Sequence, residues 1–365
     1  MSTQSSFMSK SSRIYIAGHR GLVGSALMRC LISKGYEDIL TRTHKELDLT
    51  DQQAVKEFFE KEKPEYVFLA AAKVGGILAN NTYPAEFIYQ NLAIQNNIIH
   101  YSWKSGIKRL LFLGSSCIYP RECPQPIREE YLLTGPLEPT NRPYAIAKIS
   151  GIEMCWSYNR QYNTRYLAVM PTNLYGPGDN YDLQNSHVLP AVIRKLHLSK
   201  LAQQGDLKGI QNDEKKMGPI PFVVKKSLGL TPDMKGLDVT ISPQPVFWGT
   251  GSARREFLYS LDMADACVFL MNLPDYQMSS LISEHTPPLV NIGFGTDQTI
   301  RECVDFVKNI VGYNGDVKWD QDSPDGTPQK LLDSSLLNSM GWRPTIGIFD
   351  GLKATYRDFL QVVCK

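Results

Sequence analysis

Along the first half of the chain, apolar residues alternate between short continuous runs and helical spacing. Ile14-Tyr15-Ile16-Ala17 is such a run, followed at once by Gly18-His19-Arg20-Gly21-Leu22-Val23-Gly24 and then by helix-compatible residues to Lys34. The pattern is strand, glycine turn, helix. Ile39-Leu40 reads as a second strand and Leu47 to Leu49 as a short third, after which Thr50 caps a helix from Asp51 to about Lys63 that Pro64 stops. Tyr66 to Ala72 is the next expected strand. Pro84 to Gly106 is helical, with Phe87, Ile88, Leu92, Ile94, Ile98 and Ile99 apolar, and Arg109 to Gly114 is a strand. A helix from Pro143 to about Tyr162 and a strand from Tyr166 to Met170 follow, ending in the turn Pro171 to Pro177. Such alternation predicts right-handed crossovers and an α/β, doubly wound parallel sheet with helices on both faces.

Beyond this turn the alternation fades. Between Lys200 and Lys235 the chain carries seven lysines and four acids mixed with Gly and Pro. Residues 200–245 are expected to be a solvated surface excursion, the alternative being a lid or lobe that shapes a substrate pocket.

Composition narrows the class. The chain has 365 residues, 42% hydrophobic, enough for a large core, and roughly 150 residues per domain suggests about two domains. Lys and Arg number 39 against 37 acids, which argues against a nucleic-acid binder, since phosphate backbones call for a basic excess. Seven scattered cysteines, without a C-x-x-C pair or a matching His cluster, argue against a disulfide framework and against a metal site. The Ser-rich start lacks an apolar leader core and no run approaches membrane-spanning length, so a cytoplasmic protein with no membrane association is expected, with residues 1–12 as a disordered tail.

The chemistry gathers at four places. Gly18, Gly21 and Gly24 are spaced so that backbone can approach a pyrophosphate at a helix N-terminus. At the end of the second strand stand Thr41-Arg42-Thr43-His44-Lys45, with no carboxylate for ribose hydroxyls; with Arg20 they suit a 2′-phosphate and so NADP over NAD, unless they are simply a solvated basic turn. Tyr144 and Lys148, four apart on a helix, share one face, where an ammonium is expected to lower the phenol pKa toward the working range. Gly114-Ser115-Ser116-Cys117 sits at the C-terminal end of a parallel strand, where ligands bind in open sheets.

These elements resemble the extended short-chain dehydrogenase/reductase superfamily. Within it, Ala17 to Gly21, Ala70 to Ile77, Asn80 to Pro84, Gly114 to Pro120, Leu137 to Asn141, Pro171 to Pro177 and Asp325 to Pro328 resemble the GDP-L-fucose synthase family. The resemblance spans about Arg13 to Phe359 and implies a Rossmann-type NADP-binding domain over 13–175 and, over 176–365, mainly a smaller mixed α/β lobe for a GDP-sugar. It also implies a homodimer. The implied reaction takes a GDP-linked 4-keto-6-deoxy sugar, epimerises C3 and C5, and reduces C4 with NADPH to give GDP-L-fucose. Both protons are α to the ketone, so a base beside the ring can remove either while the carbonyl takes up the charge.

By resemblance, Cys117 and His187 are the acid/base pair for epimerisation, Tyr144 protonates the C4 oxygen, Ser115 positions it, and Lys148 holds the ribose. The implied cofactor contacts are Gly18, His19, Arg20, Gly21, Leu22, Val23, Gly24, Arg42, His44, Asp48, Leu49, Ala71, Leu113, Gly114, Ser116, Lys148, Pro171, Thr172, Asn173, Leu174 and His187. The implied GDP-sugar contacts are Lys195, Trp248, Arg255, Asp325 and Lys330. Two departures stand out: His44 and Lys195 occupy positions where arginine is usual, the second replacing a bidentate fork by a point charge. The enlargement near 200–245, with His197 to Leu201, resembles relatives acting on GDP-linked 6-deoxy-heptoses, which makes a heptose epimerase/reductase, or a reductase alone, the alternative. A catalytically silent NADP-binding regulatory protein is a more remote one.

Overall fold

Ile14–Ala17, apolar and wholly buried, form the first strand (β1). The computed structural model describes residues 7–231, 236–238, 240–323 and 326–364. From β1 the chain runs through α1 (Leu22–Ser33), β2 (Ile39–Leu40), α2 (Gln52–Glu62), β3 (Tyr66–Leu69), α3 (Ile77–Thr82), α4 (Pro84–Lys104), β4 (Arg109–Leu113), α5 (Arg142–Tyr162), β5 (Tyr166–Pro171) and β6 (Asn173–Tyr175). It continues with α6 (Val188–Gln203), α7 (Leu207–Met217), α8 (Phe222–Ser227), β7 (Val246–Trp248), β8 (Arg254–Tyr259), α9 (Ser260–Met271), α10 (Asp275–Leu281) and β9 (Leu289–Ile292). Last come β10 (Asp297–Thr299), α11 (Ile300–Val311), β11 (Lys318–Asp320), β12 (Gln329–Lys330), α12 (Ser335–Ser339) and α13 (Ile348–Val363).

Two units result. The first comprises Met1–Leu174, Leu258–Gly295 and Leu331–Thr345. Its six-stranded sheet has the order β2-β1-β3-β4-β5-β9, every pairing parallel, as the alternating pattern predicts. Side chains alternate cleanly across it: Ile14, Ile16, Tyr66 and Phe68 join one core, while Tyr15, Ala17, Val67 and Leu69 join the other. Chain direction across the sheet reverses between β1 and β3, the switch point where open α/β sheets take their ligands.

Three expectations need correction here. Leu47 to Leu49 is not a strand: Glu46 and Leu47 donate to the Thr43 carbonyl, and the Asp48 carboxylate accepts from Thr50 N and Oγ1, so local turns win over pairing. Asp51, not Thr50, caps α2, accepting from the amides of Gln53 and Ala54, a cap that contributes about 1 kcal/mol. Residues 7–12 of the expected disordered tail are ordered, with Met8 buried in the core beside α1; residues 1–6 lie outside the described residues.

The second unit comprises Tyr175–Phe257, Thr296–Lys330 and Ile346–Lys365. Strand β8 pairs antiparallel with β10 and parallel with β12, and β7 pairs parallel with β11. The stretch expected to be a solvated excursion instead folds into α7 and α8. Ile210, Ile220, Leu228 and Leu230 pack with Leu198 and Ala202 of α6 into a small core. Arg194 and Asp213 form an ion pair with both side chains wholly buried. No helix among the described residues is long and apolar enough to cross a membrane.

Candidate active site

The glycine turn is shaped by steric necessity at the switch point. Gly18 has φ +89°, and a Cβ there would lie 2.7 Å from the Ala71 amide nitrogen, so only glycine lets β1 turn against the end of β3. A Cβ on Gly24 would land on the Gly18 carbonyl oxygen, well inside contact distance. Gly21 differs: its Cβ would meet only the Gly18 oxygen, at 3.5 Å. It is the N-cap of α1 and provides no side-chain cap, so the first amides of the helix are left for an anion. Leu22 and Val23 begin α1, half-buried, and Arg20 is exposed. These features fit the pyrophosphate of a dinucleotide. Gly24→Ala is expected to destabilise the protein by at least about 1–3 kcal/mol through overpacking, read as a lower melting temperature with weakened NADPH binding.

The basic turn is less simple than its sequence. Arg42 donates to the Thr41 carbonyl and to Glu62 Oε1 at 2.7 Å each, and its guanidinium lies over the Phe58 ring. His44 is exposed, 3.8 Å from Asp48. Asp48 spends its carboxylate on Thr50, which holds its pKa down, while the Leu49 carbonyl accepts from Asn97. Contrary to the expectation of no carboxylate here, Glu46 folds back to accept from the Thr43 amide at 2.7 Å. Those bonds, then Arg42 and Arg20, hold its pKa below the usual carboxylate range. Glu46 stood one residue past the five read as the basic cluster. The turn is therefore mixed in charge rather than purely basic.

At the C-terminal end of β4 the chemistry is concentrated. Leu113 is buried, and its carbonyl accepts from Lys148 Nζ at 2.8 Å. A Cβ on Gly114 would collide with the Met170 side chain, so this residue lets β4 and β5 approach. Ser116 and Cys117 are buried in a short 3₁₀ turn, and Ser115 hydrogen-bonds Tyr144. Lys148 Nζ lies 5.8 Å from the Tyr144 ring centroid, and Cys117 acts electrostatically on both side chains.

The structure therefore assembles Ser115, Cys117, Tyr144 and Lys148 around one place. Burial pushes the Tyr144 phenol well up, helped by Cys117 and opposed by Ser115; the lowering expected from the Lys148 ammonium does not appear. A phenol so held keeps its proton at neutral pH and gives it up less readily than a free tyrosine. Burial pushes Lys148 down to about 8. Pro171 ends β5, Thr172 is buried and donates its amide to the Ile292 carbonyl at 3.1 Å, and Asn173 and Leu174 open β6.

In the second unit, His187 is the N-cap of α6. Its ring is exposed, yet the surrounding protein lowers its pKa by desolvation, so it is neutral at pH 7 and able to accept a proton. About two turns on, Lys195 donates to the Val246 carbonyl at 2.9 Å and is pushed by burial to about 8. Trp248 is 69% exposed. Along β8 the two arginines diverge: Arg254 is held by Asp297, whereas Arg255 donates to the Arg254 carbonyl and pairs in register with Lys330. Asp325 lies outside the described residues. Sequence reasoning missed Asp179, whose Oδ2 is buried without a hydrogen-bond partner and whose carboxyl burial pushes up to about 7. No motif marked it.

The profile of the NAD dependent epimerase/dehydratase family matches residues 14–213 and 234–293. The chain belongs to this family. It is 50% identical to a putative GDP-L-fucose synthase 2 of Arabidopsis thaliana, over 100% of this chain and 96% of that protein. It is 46% identical to the GDP-L-fucose synthase of Escherichia coli K12, over 97% of this chain and 98% of that one. Among solved structures it is similar to a GDP-mannoheptose C4 reductase from Campylobacter jejuni with NADP bound: 39% identity, TM-score 0.80, 96% of this chain and 99% of that one. The family profile skips residues 214–233, which hold the end of α7 and all of α8.

Proposed function

We propose that this protein is a bifunctional, NADPH-dependent 3,5-epimerase and 4-reductase that converts GDP-4-keto-6-deoxy-D-mannose to GDP-L-fucose. The observation that carries the reading is the Ser115, Cys117, Tyr144 and Lys148 cluster at the end of β4, in a chain aligned over its full length with GDP-L-fucose synthases. The glycine turn, Lys148 and residues 171–174 would hold NADP(H), which when bound supplies the hydride for C4.

The chain's own groups do the rest. Cys117 and the neutral His187 exchange protons at C3 and C5. Ser115, bonded to the Tyr144 hydroxyl, fixes the position of the C4 oxygen, and Tyr144 gives it a proton. Lys195, Trp248, Arg255, Asp325 and Lys330 are proposed to bind the GDP-sugar, with cations for the diphosphate and an indole face for the base. Lys148 carries its proton below a pH of about 8 and loses it above. NADPH-linked turnover is therefore expected to decline as pH rises through about 8, checked by a pH profile of kcat/KM.

The test is NADPH oxidation with the mannose ketone, the product analysed by NMR in deuterated water. Deuterated GDP-L-fucose is the expected product. A second reading, action on a GDP-4-keto-6-deoxy-heptose, is supported by the likeness to the mannoheptose reductase and by the folded segment after α6; turnover of the heptose ketone alone would replace the first. A cytoplasmic homodimer is also proposed. Tyr89 of α4 and Ile146 and Tyr162 of α5 are exposed apolar residues suited to pairing with a second copy, and no disulfide joins the cysteines. Analytical ultracentrifugation checks the dimer, a monomer being the opposing result.

A further inference from the structure

We propose that Arg194 and Asp213 are positioning residues for His187, and that α7 and the glycine ending it form a brace holding the loop that leads to this imidazole. The inference rests on the reading of His187 as an acid/base in epimerisation. Arg194 sits on α6, about two turns beyond His187 at its N-cap. Its Nε donates to Asp213 Oδ1 at 2.7 Å. One terminal nitrogen donates to the carbonyls of Tyr181 and Met217, both at 3.0 Å, and the other to Gly218 at 2.5 Å. Of these four acceptors, three belong to α7 and its end, and the fourth to the loop before His187.

From Tyr181 the connection runs on without a gap. The next residue, Asp182, accepts through Oδ1 from the Gln184 amide at 2.9 Å and the Asn185 amide at 3.0 Å. Its carbonyl accepts from the Ser186 amide at 2.8 Å, closing a turn that ends one residue before His187. Gly218, at φ +90°, makes the second contact: a Cβ there would lie 3.0 Å from Asp182 Oδ2. The brace therefore touches the loop through the guanidinium and through the glycine.

A buried guanidinium has few alternatives. Losing its carboxylate leaves an uncompensated charge, so the arrangement is held in one geometry rather than sampled. Met217 and Gly218 lie in the stretch the family profile skips, so two of the acceptors come from residues the common family pattern does not specify.

Asp213→Asn keeps the side chain's shape and removes its charge. In that variant, deuterium uptake at C3 and C5 of the mannose ketone is expected to fall about 10- to 100-fold, as displacement of a reacting group does. Reduction of an already epimerised ketone should stay within about twofold, since it calls for neither Cys117 nor His187 as a base. Gly218→Ala keeps the ion pair and presses on Asp182; it should produce the same selective loss and decides the matter if Asp213→Asn does not fold. A second readout needs no turnover: the His187 ring resonance in carbon-13 histidine NMR, identified by its disappearance in His187→Asn, should shift or broaden in both variants. An unchanged His187 resonance, or equal loss of exchange and reduction, overturns the brace. Absence of both exchange and reduction in the unaltered protein would instead overturn the proposed reaction, with the resonance still deciding the brace.

Discussion

Tyr144→Phe is expected to lower NADPH oxidation with the mannose ketone by about 10²–10⁴-fold, the usual contribution of a positioned proton donor. The hydroxyl removed is the one Ser115 hydrogen-bonds, and burial keeps it protonated at neutral pH. The ring itself remains useful. It meets Phe87 edge-on at 6.3 Å between centroids, a contact phenylalanine preserves, so the variant should fold and bind NADPH as before. Exchange at C3 and C5 should persist, since the ketone and the epimerising groups are intact. Reduction at the unaltered rate would place the proton donor elsewhere.

Cys117→Ser should give the mirror image. The thiol is buried in the turn after β4, close enough to Tyr144 and Lys148 to act on both charges. Serine fills the same space but is far too weak an acid to share protons with a carbon near neutral pH. Deuterium incorporation at C3 and C5 should fall by about 10²–10⁴-fold, while an already epimerised ketone is still reduced. Undiminished incorporation, followed by NMR in deuterated water, would remove Cys117 from the base role. Measured together, the two variants separate the two halves of the reaction.

How much of this could be read from the chain depended on whether the deciding interactions were local. β1, the glycine turn and α1 were legible because Gly18, Gly21 and Gly24 announce a tight turn between an apolar run and a helix, and the structure places each where that geometry requires. Tyr144 and Lys148 were legible as a spacing on one helix face. Their ionisation was not, because burial by distant segments, invisible in a four-residue spacing, sets it. The false strand at Leu47 to Leu49 shows the reverse failure: apolar residues suggested pairing, but the Thr43 carbonyl and the Asp48 side chain closed turns first.

The segment after α6 misled for a third reason. Its helix α7 presents mainly polar residues, with Ile210 and the charged Asp213 as its buried positions. An acid facing inward reads as surface until its partner is known, and that partner lies 19 positions earlier. Met8 was hidden similarly, a lone apolar residue in a Ser-rich stretch.

The cofactor-binding sheet is finished late. β5 is flanked by β4 on one side and by β9 on the other, and β9 begins only at Leu289. While the chain is being made on the ribosome, the far edge of β5, Tyr166–Pro171, waits uncovered until the intervening residues emerge, on the order of ten seconds at about 5–20 residues per second. An uncovered apolar edge of that kind is a template for pairing with a neighbouring nascent chain. Heavily translated polysomes are therefore where this protein should aggregate first, and slowing initiation rather than elongation is the remedy its topology recommends.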